Sequence, residues 1–151
     1  MKSEPDEFSI DDLVRTRGQT TSWFGVRNYQ ARNYMRDMKV GERAFFYHSS
    51  CPEPGIAGIV EVAKLAHPDL SQFDAKGKYY DPKSTRANPR WFNVDVKLIE
   101  KTRLVSLDEL RGLPALADMV TLRRGNRLSF TPVTAEEWKA VGKLTGKKVD
   151  T

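Results

Sequence analysis

From Trp91 to Leu98 the chain alternates: Phe92, Val94, Val96 and Leu98 fall on one side, Trp91, Asn93, Asp95 and Lys97 on the other. A period of two marks a strand with one buried and one more polar face. Two further strands are predicted, Arg43–His48 and Ile56–Ala66, joined as an antiparallel hairpin across the turn-rich loop Cys51-Pro52-Glu53-Pro54-Gly55. Arg127–Phe130 reads as a short strand. Helices come between. Ser9-Ile10-Asp11-Asp12-Leu13-Val14 begins with a cap, Ser9, and has Asp12 at the reciprocal position. Asn28–Met38 places Ala31, Tyr34, Met35 and Met38 on one side and is stopped by Gly41. Ser106-Leu107-Asp108-Glu109 and Thr134-Ala135-Glu136-Glu137 have capping-box spacing and open two short helices, the second carrying Trp138 and Val141. Residues 76–90, with Pro82 and Pro89, read as an ordered loop. Short helices among antiparallel strands define an α+β chain whose small sheet curls toward a barrel.

The 151 residues suit one domain spanning 1–151, without repeat or internal linker, with a loose tail from about 142 to 151. One cysteine, Cys51, cannot make an internal disulfide and fits a reducing compartment. Two histidines and that cysteine are too few for a structural zinc site, so neither metal nor cofactor is expected. The charged start, Met1-Lys2-Ser3-Glu4-Pro5-Asp6-Glu7, lacks the apolar run of a secretory signal. No stretch approaches the roughly 18 apolar residues of a membrane span. A cytoplasmic monomer without membrane contact is the expectation. Net charge is +5, with acids crowded into the first dozen residues and arginines, among them Arg32, Arg36, Arg86 and Arg90, spread over the rest. That pattern fits a basic face for phosphates or merely scattered solvated charge.

Three clusters are candidates for a site. In Ser22-Trp23-Phe24-Gly25-Val26-Arg27-Asn28 a tryptophan precedes a helix start, where free N–H groups suit a phosphate or a carbonyl oxygen; equally, Trp23 can be core and Asn28 a plain cap. Phe45-Phe46-Tyr47-His48-Ser49-Ser50, with Pro54-Gly55-Ile56, delivers polar groups to the end of a strand, or else His48 is a structural histidine. Tyr79-Tyr80-Asp81-Pro82-Lys83 and Pro89-Arg90-Trp91 put rings in a proline-bounded loop, to stack on a base or to pack the loop itself.

These blocks, with Lys2-Ser3-Glu4-Pro5, Ala31-Arg32-Asn33, Pro54-Gly55-Ile56-Ala57-Gly58 and Phe73-Asp74, closely resemble the EVE domain family, the group that holds the thymocyte nuclear proteins, in order and over almost the whole chain. The resemblance implies a PUA-like, distorted antiparallel β-barrel of five to six strands flanked by short helices, close to the YTH domains that cage a methylated adenine. It implies nucleic acid as partner: a flipped, chemically modified base, a modified cytosine in DNA or a modified base in RNA, held in an aromatic-lined pocket. Residue by residue, Trp23 resembles one cage wall and Tyr80, with Tyr79, the opposing one. Lys2, Ser3 and Glu4 line the pocket, while Gly25, Val26, Arg27 and Asn28 give backbone N–H and polar groups to the base edge or its phosphate. Tyr47, His48 and Ser49 form a polar rim and Pro54, Gly55 and Ile56 the facing lip. Trp91 is a wall or a packing residue, and Arg124 and Gly125 are weaker backbone contacts. In the family a further strand with aromatics usually stands ahead of the Lys-Ser-Glu-Pro block, so the resemblance implies an edge partner for the barrel before Lys2.

Three function classes follow: the reader, a non-catalytic small-molecule or protein-interaction pocket, and a nucleic-acid-processing enzyme. The third would need clustered carboxylates or a zinc triad. Asp69, Asp74, Asp81 and Asp95 are scattered, there is no HxE or CxxC motif, and His48 beside Ser49 and Cys51 is too thin for a nucleophile and base. The expectation is a protein that binds without turnover.

Overall fold

The computed structural model describes residues 1–23, 25–124 and 128–145. One five-stranded sheet organises them: β1 (Lys2–Ser3), β2 (Thr20–Trp23), β3 (Arg43–His48), β4 (Gly55–Pro68) and β5 (Phe92–Ser106), in the order β1-β3-β4-β5-β2. Three of the four pairings are antiparallel; β1 joins β3 in parallel, with Lys2 opposite Tyr47 and Ser3 opposite His48. The expected hairpin is β3–β4, with β4 close to its predicted bounds, but β5 runs on well past Leu98 to Ser106. Their pairing shifts register at several points between Ile56 and His67, and such bulges make a long ribbon twist and curl. The α+β, PUA-like expectation holds, with β1 and β2 as the two strands that sequence reasoning missed. The strand expected at residues 127–130 is absent over Leu128–Phe130, and Arg127 lies outside the described residues.

Neighbouring side chains on a strand point to opposite faces, and both faces of this sheet are covered. Phe46 joins Ile10, Leu13, Trp23, Ala31, Met35, Val60, Val94, Val96 and Phe130 under α1 (Ile10–Arg15) and α2 (Tyr29–Arg36). Its neighbours Phe45 and Tyr47 join Ile56, Ile59, Val105, Leu110, Met119, Trp138 and Val141 under α3 (Leu107–Arg111) and α4 (Ala135–Leu144). This explains why β3 is a run of aromatics instead of an alternation. The polar side of β5 is covered as well: Trp91 and Asn93 are buried.

Helix starts follow local chemistry. Ser9 and Asp12 close the full reciprocal box at α1, and Thr134 and Glu137 close it at α4. At α3 only half of the expected box forms: the Ser106 hydroxyl accepts from the Glu109 N–H, while the Glu109 carboxylate turns to Arg103. The expected loose tail is helical as far as Leu144; residues 146–151 lie outside the described ones. Residues 76–90 contain no helix or strand, as expected.

Candidate base-binding cavity

β1 and β2 end the sheet on opposite sides, yet both line the same cavity of about 740 Å³, so the sheet curls into a barrel with an open seam. Lys2, Ser3 and Glu4 form one bank, Thr21, Ser22 and Trp23 the other. Glu7, Phe8, Gly25, Val26, Ser49, Ser50, Tyr79 and Ser129 complete the lining. The volume falls within the roughly 300–1,000 Å³ of small-ligand sites.

Each bank is fixed by backbone bonds. The Lys2 N–H donates to the Ser129 carbonyl (2.8 Å), the Tyr47 N–H to Met1 (2.8 Å) and the Ser49 N–H to Ser3 (2.9 Å). Ser50 has φ 52°, a left-handed conformation that turns the chain at the end of β3 and keeps Ser49 and Ser50 on the rim. Across the seam, Trp23 is held edge-on by Phe46 and Phe130, at centroid distances of 5.3 and 6.1 Å. Only 8% of Trp23 is exposed, but what is exposed faces the cavity, so it is at once a core residue and a wall. The Ser3 hydroxyl donates to the Phe8 carbonyl (2.6 Å) and that of Ser22 to Asp95 (2.6 Å). Both oxygens still have acceptor capacity. Burial, then the charge of Arg111, lowers the Lys2 pKa from its ordinary value.

Tyr79 closes the cavity in a way that needs glycine. Gly25 has φ +81°, and a Cβ there would meet the Tyr79 ring at 2.7 Å, so the ring lies directly on the glycine backbone. Asp69 and Arg27 lock the two together. Asp69 accepts from the Gly25 N–H (2.8 Å), the Arg27 guanidinium (3.2 Å) and the Ser71 hydroxyl (2.5 Å). Arg27 in turn donates to the Tyr79 carbonyl (2.7 and 3.0 Å). Burial pushes the Asp69 carboxyl up, but the bonds from Ser71, Gly25 and Arg27 outweigh it and leave its pKa below the ordinary carboxylate value.

The structure therefore gathers Lys2, Ser3, Glu4, Trp23, Gly25, Val26, Ser49 and Tyr79 around one cavity. Other expected contacts lie elsewhere. The Gly25 N–H is already given to Asp69, and Arg27 holds the Tyr79 loop from behind. Asn28 is the α2 cap, accepting from the Ala31 N–H at 3.0 Å. His48 Nε2 accepts from the Ile10 N–H at 3.0 Å and so caps α1; burial lowers its pKa. Tyr47 and Ile56 turn to the opposite face, and Pro54 and Gly55 abut the β5–α3 junction, where the Pro54 carbonyl accepts from the Leu107 N–H. Tyr80 is exposed and outside the lining; Tyr79 takes the place expected of it. Trp91 is a packing residue: it stacks on Tyr29 at 4.8 Å, and its indole N–H donates to Asp81 at 2.7 Å. Arg124 is exposed and does not reach the lining, and Gly125 lies outside the described residues. The lining residues missed were Glu7, Phe8, Thr21, Ser22, Ser50 and Ser129. Ser22 and Ser50 stood beside quoted motifs; Ser129 carries no local signal, since only its carbonyl bond to Lys2 brings it there.

A curled sheet with aromatic and hydroxyl groups at its seam defines a polar-rimmed pocket, and the chain belongs to the EVE domain family, which matches residues 1–144. It is 46% identical over 167 residues to human thymocyte nuclear protein 1, covering 98% of this chain and 73% of that one. It superposes on the crystal structure of human THYN1 protein in complex with 5-methylcytosine containing DNA with a TM-score of 0.93, at 45% identity, covering 99% of this chain and 97% of that one. It also superposes on a Pseudomonas putida protein with a TM-score of 0.92, at 45% identity, covering 96% and 97% of the two chains.

Proposed function

We propose that this chain is a reader of DNA carrying a modified cytosine, and that it takes the flipped base into the seam cavity. The supporting observation is the likeness to the DNA-bound human THYN1 protein, combined with the cavity's two kinds of lining. Trp23 and Tyr79 offer flat apolar surface, and stacking on an aromatic ring contributes about 1–3 kcal/mol per base, comparable with the few kcal/mol that flipping costs. Burying a 5-methyl group adds only about 0.8 kcal/mol, so the methyl alone discriminates modestly and the base edge must be read as well. Glu4 supplies a carboxylate in the cavity. Carboxylates accept from the cytosine N4 amino group, whereas thymine presents an acceptor oxygen there and would be repelled. The neighbouring hydroxyls accept or donate as the ring's oxygen and nitrogen require.

The reading is of binding without turnover. No histidine or cysteine lines the cavity, and among the described residues no group of three or more His, Cys, Asp or Glu could hold a metal ion. The test is a panel of otherwise identical duplexes carrying cytosine, 5-methylcytosine, 5-hydroxymethylcytosine or thymine at one site, titrated with wild type and Tyr79→Ala. Preference for a modified cytosine, reduced at least fivefold in the variant while the fold is kept, supports the reading. Equal binding of all four duplexes, or conversion of any of them, overturns it.

A further inference from the structure

Among the described residues, seven arginines and lysines sit in ion pairs with carboxylates: Arg15, Arg27, Arg43, Lys78, Lys97, Lys101 and Arg103. Among the described arginines outside these pairs, of which Arg86 rests on Phe73 at 4.8 Å, three lie close together. Arg32 and Arg36 lie one turn apart on α2, and Arg90 lies beside them at the entry to β5. None of the three makes an ion pair among the described residues, although Asp37 follows Arg36 directly in sequence. Instead, Arg32 and Arg36 rest on rings. The Arg32 guanidinium is 4.8 Å from the centroid of Tyr29 and 6.0 Å from that of Trp91, and that of Arg36 is 4.6 Å from Phe92. Arg90 donates to the Tyr29 hydroxyl at 3.4 Å, and Arg32 donates to the Arg90 carbonyl at 3.0 Å. Tyr29, in the middle of the group, is 51% exposed.

A guanidinium on an aromatic face keeps its charge and directs its remaining N–H groups outward in its own plane. Pairing with a carboxylate would use both. This patch is also continuous with the cavity: Tyr79 lines it, the Arg27 guanidinium lies 5.4 Å from the centroids of both Tyr79 and Trp91, and Trp91 stacks on Tyr29. Rings and guanidinium groups thus form one ladder from the cavity wall to the outer surface of α2.

We infer that Arg32, Arg36 and Arg90 form a phosphate-binding face that grips the DNA backbone flanking the base held in the cavity. The inference rests on the proposed reading but concerns a different surface, and its chemistry is blind to sequence and methylation. Arg27 is excluded from the face because Asp69 already neutralises it. The ladder gives both surfaces one rigid frame, so an anchored backbone is presented at a fixed position relative to the cavity.

The experiment measures binding of the full chain to two duplexes, identical except for one 5-methylcytosine, across a series of salt concentrations. Wild type is compared with Arg32→Gln/Arg36→Gln/Arg90→Gln and with Lys139→Gln/Lys143→Gln on α4, with thermal melting of each as a fold check. Each phosphate contact contributes about 0.9 to the slope of log affinity against log salt, so the triple variant should lose a slope of about 2.7, while the α4 variant keeps the wild-type slope. Both duplexes should weaken by the same factor, leaving the methyl preference unchanged. A folded triple variant with the wild-type slope overturns the inference, as does an equal loss of slope in the α4 variant or a wild type that binds neither duplex. If wild type binds both duplexes equally and the triple variant still loses slope, the phosphate face stands and the base-reading proposal falls. Should Arg32→Gln unfold the chain, Arg36→Gln/Arg90→Gln must lose a slope of about 1.8 for the inference to survive.

Discussion

Among the described residues a second cavity can be set beside the seam, and although it is the larger of the two it is not the candidate site. The larger, about 1020 Å³, is bounded by the end of α2, β3, α4 and the segment 119–135, with Met38, Phe45, Met119, Phe130 and Trp138 among its walls. The smaller lies at the seam. What separates them is chemistry. Serine hydroxyls and the glutamates Glu4 and Glu7 line the smaller one, and its ring, Tyr79, is seated on a glycine that a side chain would displace, whereas the larger has Asp37, Lys39, Arg43 and Glu61 beside its apolar walls and no such seated ring. In the larger one Trp138 stacks on Phe45 at 4.0 Å, and among the described residues its buried indole N–H has no hydrogen-bond partner. Size measures how loosely elements meet; the seam is set apart by the Asp69–Arg27 clamp that fixes Tyr79 over Gly25.

That contrast can be broken at several points. The largest effect is expected at Arg27→Met, which leaves the Asp69 charge buried beside Gly25 without its cation. Breaking a pair of this kind costs about 3–5 kcal/mol, near the lower end here because Arg27 is partly exposed, and chemical denaturation would register it. Base binding should fall with it, because the Tyr79 loop loses its clamp; a stable, fully binding variant would mean that the clamp is not what shapes the cavity. Next comes Gly25→Ala. The added methyl collides with the Tyr79 ring and the residue must hold φ +81°, for about 1–3 kcal/mol of strain. Affinity for a 5-methylcytosine duplex should drop about tenfold, the value of one lost stacking contact.

Acid should act on the seam by a smaller amount. The folded Asp69 pKa lies below its unfolded value, so its contribution to stability is present above the unfolded value of about 3.9 and is lost as pH falls through the folded one. Denaturation midpoints between pH 5 and pH 2.5 should therefore fall less steeply in Asp69→Asn, from a lower starting stability. The smallest effect is expected at the other cavity: Val133→Trp, which fills part of it, should alter duplex affinity less than twofold in a direct titration. A larger loss there would erase the distinction between the two cavities.

What could be read from the sequence was local. The alternation over residues 92–98, the Ser9 and Thr134 boxes and the Asn28 cap depend on neighbours a few residues away, and all stand in the structure. The site was legible as a set of segments, since Lys2 to Glu4, Trp23, Gly25, Val26, Ser49 and Tyr79 do meet. What the chain could not show was which of two adjacent residues faces inward. Tyr79 and Tyr80 are chemically almost equal, and only the bond from Arg27 to the Tyr79 carbonyl and the gap above Gly25 decide between them. His48 failed for a related reason. A histidine near serines reads as a rim residue, yet the first turn of α1 needed an acceptor and took it. β1 and β2 are two and four residues long and pair far away in sequence, so no periodicity announced them.

The bond from the Lys2 N–H to the Ser129 carbonyl ties the first strand to a segment close to the last helix. Joining such distant points demands a long closure, entropically unfavourable and late in the order of events. During synthesis the seam cavity can therefore close only once Ser129 has emerged, although β3, β4 and β5 could already have paired.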